Sequence, residues 1–450
     1  MFLTLLLTLA SAEVPPAGSD LSPIVRALTL RPQIETLENG LTVVLHEDHR
    51  SPLVHLTTLV RVGSADDPED ASGLAHLFEH LMFKGSPNAP ATEWGRLLEQ
   101  AGASSEAWTE RDWTLYSSKA PASSLERLLF LESDRFGWVS ESITEESIAL
   151  EHDVIANERA SRQGGGEQSL YSTLHGQLWP VDHPYHRPVL GLPEHTENLA
   201  TGRITTFASN FYRPSNTILV LSGDFERETA LSQIQAAYGL IERRGSRALR
   251  AYPERPRRGS DVRKAWEVQS GPPLLAIGWN TPPWGHPDLP KLRLAAEILR
   301  GRATQMDGLA FNAKPDIALR ARRAGGELVV RLVSDGTSLE TLLTQFDSEI
   351  RDLAFYGPSA KELDRARMRW QAASIERLED PQAIGLAMAR CVAVHENPDC
   401  LGPEMQAIEA VTSQQVQAAI RTHLKQDRIL LGRLSAEQID LGLHDSEAME

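Results

Sequence analysis

The chain has 450 residues, more than a single compact core usually holds, so two or three domains are expected. Hydrophobic residues make up 41% and charged residues 24%, a globular balance that excludes a largely disordered or coiled-coil chain. The formal net charge of −16, with no basic stripe interleaved with aromatics, excludes nucleic acid as an expected partner.

The N-terminus begins with a short apolar run. Residues 2–10 end in Ala10-Ser11-Ala12, a pattern typical of signal-peptide cleavage sites, although the first basic residue is Arg26. We predict a signal peptide over residues 1–12 and export to the periplasm; a frayed N-terminus is the alternative. No later stretch reaches about 18 uninterrupted apolar residues, so no transmembrane helix is expected.

The next predicted elements are a strand from Leu53 to Val62 and a helix from Leu74 to Phe83. The helix contains the pattern H-x-x-E-H, formed by His76, Glu79 and His80. Histidines four apart share one helix face, so both imidazoles can meet one zinc ion. Glu79 lies beside that face, within reach of a metal-bound water. The alternative is a polar helix face with two incidental histidines.

A second predicted helix carries carboxylates on its apolar stripe. Ser142 to Glu145 resembles a capping box, and the helix that follows places Glu151 and Glu158 on one stripe with two isoleucines. Carboxylates that face partly inward need a compensating partner, and a metal ion is one. Solvated glutamates on a charged helix are the alternative.

The chain also contains an internal duplication. The helix and strand of Thr201 to Phe225 correspond to those that begin at Thr412 and end at Leu431. The earlier strand and helix correspond to a strand from Leu274 to Trp279 and a helix from Leu292 to Leu299, stopped by Gly301. In that alignment Leu292, Ala295 and Ala296 replace the two histidines and the glutamate.

The duplication predicts an α+β protein with two homologous domains, each an antiparallel sheet flanked by helices. We predict a metal-binding N-terminal domain over residues 30–242 and a second domain that binds no metal over residues 265–436. An Arg/Pro-rich linker over residues 243–264 joins them. A groove for acidic substrates is the alternative interpretation of that basic stretch.

These motifs resemble the inverzincins, the pitrilysin/insulinase family of metallopeptidases, especially short bacterial members similar to mitochondrial processing peptidase. Glu158 lies 78 positions after His80 (158 − 80), as in the family, and further signatures are Val154–Arg159, His183–Tyr185 and Phe211–Asn216. The resemblance implies the metallohydrolase fold of that peptidase. It also implies one Zn²⁺ per chain, held by His76, His80 and Glu158. Glu79 then acts as general base toward a metal-activated water, and Glu151 supports the catalytic site.

The stretch from Gly102 to Tyr116 resembles the strand along which family members bind substrate. The resemblance assigns substrate binding to Glu106, Ala107, Trp108 and Thr109, where a peptide adds as an extra strand. Glu106 replaces the usual asparagine. Because a carboxylate cannot donate a hydrogen bond, this change favours basic side chains in the substrate.

The second half departs further from the family. Members that work alone carry an arginine and a tyrosine there, and this chain has Phe311 where the tyrosine is expected. Without that hydroxyl an oxyanion is poorly stabilised. We therefore expect a homologous partner subunit that supplies the Arg/Tyr pair, or a homodimer.

The predicted function is a zinc endopeptidase acting on peptides or unfolded segments. The alternative is a non-catalytic assembly subunit on the same fold. A serine or phosphate-handling enzyme is disfavoured, because G-x-S-x-G is missing and Gly164-Gly165-Gly166 lacks the lysine of a phosphate loop. For the only cysteines, Cys391 and Cys400, a disulfide and two free thiols are both open.

Overall fold

The computed structural model describes residues 32–163, 167–196, 199–242, 261–267, 272–311, 313–378, 380–425 and 427–434. Within these residues the chain forms two β-sheets, each flanked by helices, so the predicted α+β class is confirmed. The predicted signal peptide and residues 243–260 of the predicted linker lie outside the described residues. None of the described helices is long and apolar enough to cross a membrane.

The first half is built on a six-stranded sheet in the order β1-β2-β6-β3-β5-β4. Its strands are β1 (Gln33–Thr36), β2 (Thr42–Glu47), β3 (Leu53–Val60), β4 (Ser104–Thr109), β5 (Thr114–Pro121) and β6 (Thr217–Gly223). Its helices are α1 (Leu74–Leu81), α2 (Ala91–Gln100), α3 (Leu125–Trp138), α4 (Glu145–Gln163), α5 (Glu167–Leu178), α6 (Pro193–Thr196), α7 (Thr201–Phe211) and α8 (Arg227–Tyr238).

The second half is built on a five-stranded sheet in the order β7-β11-β8-β10-β9. Its strands are β7 (Val262–Glu267), β8 (Leu274–Thr281), β9 (Asp316–Arg320), β10 (Gly326–Val333) and β11 (Ile429–Leu434). Its helices are α9 (Leu289–Ala303), α10 (Leu339–Tyr356), α11 (Ala360–Arg377), α12 (Pro381–His395), α13 (Leu401–Ala410) and α14 (Ser413–His423). Strand β7 begins at Val262, inside the predicted linker.

The two sheets repeat one topology once β1 is set aside. In each, the first strand pairs in parallel with the last one, β2 with β6 and β7 with β11, and the other pairs are antiparallel. The helix and strand α7–β6 correspond to α14–β11. The internal duplication is therefore present in the fold, with one parallel pair in each sheet that the sequence did not predict.

The predicted helix stop at Gly301 was wrong, because α9 continues to Ala303. A Cβ atom at this glycine would lie 3.0 Å from the Arg369 guanidinium. The side chain of Arg369 on α11 packs against this glycine, two residues before the helix ends.

The two halves cover each other's sheets. Helix α5 of the first half packs Leu170, Leu174 and Leu178 on β8 and β11 of the second sheet. Helix α12 of the second half lies across β3 and β6 of the first sheet, so closely that a Cβ at Gly385 would be 2.8 Å from Thr57 Oγ1. Each sheet therefore depends on the other half for a covering helix.

Buried charges fix the contact between the halves. Glu327 is fully buried and lies 2.8 Å from Arg322 and 2.6 Å from His175 of α5. Burial lowers the pKa of His175, and the neighbouring Glu327 opposes that shift. The nearby Arg323 pairs with Asp66 at 3.2 Å and its backbone N–H donates to Asp112 at 3.1 Å. Buried charges are tolerated only when paired, so this cluster favours one docking geometry.

Cys391 of α12 and Cys400, which precedes α13, form a disulfide with a Cα–Cα distance of 5.4 Å. Of the two states that the sequence left open, a disulfide and two free thiols, the structure has the disulfide.

Candidate metal centre

Helix α1 is anchored at its N-terminus. The buried carboxylate of Asp67 accepts hydrogen bonds from the backbone N–H groups of Gly73 at 2.7 Å and Ala75 at 2.9 Å. Gly73 has a φ of +92°, and a Cβ there would lie 2.8 Å from the Leu190 carbonyl oxygen. The apolar face of α1 is buried in the hydrophobic core of the first half, so the helix is packed along its length as well as anchored at its start.

The two histidines of α1 converge with Glu158 of α4. Glu158 Oε2 lies 3.6 Å from His76 Nε2 and 3.7 Å from His80 Nε2, and all three ligand atoms lie within 4.8 Å of one another. Around a tetrahedral zinc ion with bonds of about 2.1 Å, neighbouring ligand atoms are about 3.4 Å apart. The three donors are of the right types and nearly at the right separations, so they fit zinc.

A second group with metal-ligand donors, Glu47, His49 and Glu226, is partly exposed. His49 already contacts Asp224 at 2.6 Å. The group on α1 and α4 is therefore the stronger candidate for a metal site.

Glu151 contacts the His80 ring at Nδ1, the nitrogen that does not face Glu158. Its Oε2 atom lies 2.8 Å from His80 Nδ1, while Oε1 contacts Lys84 Nζ. A carboxylate on one imidazole nitrogen directs the other nitrogen toward a metal. The sequence did not single out Lys84, which lies in the turn after α1, three residues beyond its last helical residue.

Helix α4 begins at Glu145, but its cap differs from the predicted one. Thr144 N–H donates to Ser147 Oγ at 3.0 Å, and Ser147 N–H donates to Thr144 Oγ1 at 3.1 Å. The predicted cap at Ser142 was therefore wrong by two residues, because hydroxyls at 144 and 147 satisfy each other's N–H groups. The inward stripe is present, with Glu151 4% exposed between two buried isoleucines.

Glu79 lies beside the three ligand atoms and is 7% exposed. Its Oε2 atom accepts a hydrogen bond of 2.6 Å from Thr109 Oγ1. Burial raises the pKa of Glu79, and the Thr109 hydrogen bond opposes that rise. The geometry therefore offers a desolvated carboxylate with one oxygen held by a hydroxyl.

The predicted substrate residues lie on β4, an edge strand of the first sheet. They divide between its two faces. On one face, Thr109 contacts Glu79 and Ala107 packs against the hydrophobic core of the first half. On the other face, Glu106 contacts Gln382 of α12, and Trp108 packs against the core that includes the helices of the second half. The alternation of side chains along a strand accounts for this split.

A cavity of about 1040 Å³ lies between the halves. It extends from Thr109 at the end of β4 to the edge strand β9, and its lining includes Trp284 and Arg390. Edge strands of both sheets thus border one space, which reaches Thr109 but is not lined by Glu79 or by the three candidate ligands. Phe311, at the position where the sequence analysis expected a tyrosine, is fully exposed and is not part of this lining.

Comparison with known proteins matches both halves to one family. The family model described as Insulinase (Peptidase family M16) matches residues 42–190, and the model described as Peptidase M16 inactive domain matches residues 199–369. The matches therefore cover both sides of the duplication.

Two curated relatives illustrate the similarity. Zinc protease PqqE of Helicobacter pylori is 27% identical over 268 residues, covering 59% of this chain and 60% of the relative. A probable mitochondrial-processing peptidase subunit beta of Schizosaccharomyces pombe is 28% identical over 269 residues, covering 58% of each. The chain thus spans about three-fifths of the length of these relatives.

A solved protease from Helicobacter pylori shares the fold, with a TM-score of 0.81 and 21% identity. The similarity covers 90% of this chain and 100% of the solved one. With both family models matched in chain order, the chain belongs to the insulinase family, peptidase family M16.

Proposed function

We propose that this chain is a zinc-dependent endopeptidase acting on peptides or unfolded polypeptide segments. One observation carries the proposal: the converging nitrogen and oxygen atoms of His76, His80 and Glu158, with the buried carboxylate of Glu79 beside them. Relatives named zinc proteases support the assignment. One zinc ion per chain is expected, because the described residues provide one such set on α1 and α4.

Bound zinc would polarise the scissile carbonyl and acidify a water molecule. Glu79 takes the proton of the attacking water on its carboxylate. The Thr109 hydroxyl donates to Oε2 of this carboxylate and so fixes its orientation. Glu151 holds the His80 ring through Nδ1, so that Nε2 faces Glu158.

The edge strand β4 positions the substrate. An unpaired strand edge offers backbone hydrogen bonds to any extended segment, whatever its sequence. A folded protein does not present such a segment, so peptides and unfolded stretches are the proposed substrates. Glu106 points away from Glu79 and contacts Gln382, so its carboxylate acts on the α12 side of the bound peptide.

The chain is proposed to work with a homologous partner. Phe311 has no hydroxyl to offer a developing oxyanion, and it is exposed to solvent. A relative named as a subunit supports an assembly of two similar chains. The partner would supply the missing Arg/Tyr pair; a self-sufficient homodimer is the alternative.

Export to an oxidising compartment, the periplasm, is also proposed. The disulfide between Cys391 and Cys400 supports it, because such bonds are rare in reducing cytosol. Cell fractionation tests this proposal: recovery of the chain in the cytosol with both thiols reduced would contradict it.

The function is tested by digesting an unstructured peptide mixture with the purified chain. Alone, it should cleave weakly or not at all; with a related chain that carries the Arg/Tyr pair but lacks H-x-x-E-H, cleavage should appear. A chelator should abolish that cleavage and zinc should restore it.

The outcomes separate the alternatives. Robust, chelator-sensitive cleavage by this chain alone would refute the partner requirement and favour the homodimer. Purified chain that binds no zinc and stays inactive with every related partner would refute the peptidase and favour the non-catalytic assembly subunit.

A further inference from the structure

Five side chains, alternately basic and acidic, form a row of contacts between α4 and the segment of α1 with its following turn; we call this row the ladder. In order they are His76, Glu158, His80, Glu151 and Lys84, each in contact with the next. Glu158 bridges the two Nε2 atoms, whereas Glu151 lies on the far side of His80, on Nδ1. The ladder therefore contains two carboxylates close to one metal position, only one of which belongs to the ligand set.

Lys84 lies in the turn that follows α1. Its N–H donates to the Leu81 carbonyl at 3.0 Å, and Gly85 follows with a φ of +81°. A Cβ at Gly85 would lie 2.3 Å from the Ala91 backbone nitrogen. From this turn the side chain of Lys84 reaches Glu151.

The burial of Glu151 makes this contact consequential. The carboxylate is 4% exposed, and a buried charge without a partner is strongly unfavourable. In the structure Lys84 Nζ pairs with Glu151 Oε1, and His80 Nδ1 lies 2.8 Å from Oε2. Without the lysine, Oε1 would be buried without its cationic partner, and carboxylates are good zinc ligands.

We propose that Lys84 is a positioning residue that keeps Glu151 out of the metal's coordination sphere. The inference rests on the proposed function. A catalytic zinc needs three protein ligands and one open position, and a swinging Glu151 would occupy that position. By holding Glu151 away, Lys84 lowers the affinity for zinc and leaves one coordination position open for water or substrate.

The test compares Lys84→Met and Lys84→Gln with wild type in chelator-competition measurements of zinc affinity. Both variants should bind zinc more tightly, because a fourth protein ligand is gained; about tenfold is the lower end of the change in metal affinity that altered outer-shell contacts produce. The visible bands of cobalt-loaded Lys84→Met should shift relative to wild type, because a carboxylate would replace water as the fourth ligand of Co²⁺. Lys84→Arg should resemble wild type, as should Lys119→Met, which removes an exposed lysine on β5.

A double-mutant cycle isolates the carboxylate. In a Glu151→Gln background, Lys84→Met should change zinc affinity by less than half as much on a logarithmic scale, because no charged oxygen remains to swing inward. A merely structural lysine predicts the opposite sign: weaker zinc binding and a lower melting temperature in Lys84→Met.

Unchanged or weakened zinc binding in Lys84→Met, with an unchanged cobalt spectrum, would overturn the inference while leaving the peptidase proposal intact. Wild-type protein that binds no zinc would instead overturn the peptidase proposal itself.

Discussion

Substituting Glu79 by glutamine should abolish most peptide cleavage while leaving zinc in place. The amide has the size of the carboxylate but cannot accept a proton from water at neutral pH, and neither histidine nor Glu158 is altered. General-base catalysis is typically worth about 10²- to 10⁴-fold, so the turnover of the assembled enzyme should fall by at least about 100-fold. Zinc content measured on the same sample should stay at one ion per chain.

The matched control is Glu99→Gln, which removes an exposed carboxylate on α2 and should have wild-type turnover. If Glu79→Gln cleaves peptides as fast as wild type, the base lies elsewhere, and Glu151 is the first candidate.

Substituting His76 by alanine should remove zinc. The change deletes one of three ligands and leaves an apolar methyl group in its place. Loss of an outer-shell partner alone weakens metal binding about 10- to 100-fold, so loss of a direct ligand should exceed 100-fold. Elemental analysis after dialysis against a weak chelator should find the variant essentially free of zinc and wild type loaded.

The control for this variant is His423→Ala on α14. This half-buried histidine lies in the second half of the chain, away from the candidate centre, and contacts Asp288 at 2.9 Å. It should retain zinc. Stoichiometric zinc in His76→Ala would mean that the ion binds outside the proposed centre.

The closeness of the two histidines could be predicted from sequence because its determinants are local. His76 and His80 are one helical turn apart, so periodicity alone places both rings on one face. Glu158 shares a stripe with Glu151 and two isoleucines, which predicts an inward-facing side chain, but its choice as a ligand came from the family resemblance. What periodicity does not give is the pairing of the two helices, which came from the family resemblance.

The features that were missed depend on contacts between distant segments. An apolar face on α5 predicts burial, but not that the sheet of the other half covers it. The parallel pairing of β2 with β6 joins strands about 170 residues apart and leaves no local signal. Lys84 resembles any solvated lysine after a helix until the buried Glu151 is seen opposite it.

The most direct test of the metal centre is a crystal structure of zinc-loaded protein with anomalous scattering recorded at the zinc edge. A single strong peak per chain is expected about 2.0–2.2 Å from His76 Nε2, His80 Nε2 and a Glu158 carboxylate oxygen, with Glu151 still on His80 Nδ1. A peak at any other set of side chains, or no peak in zinc-loaded crystals, would contradict the assignment of this centre and the peptidase chemistry built on it.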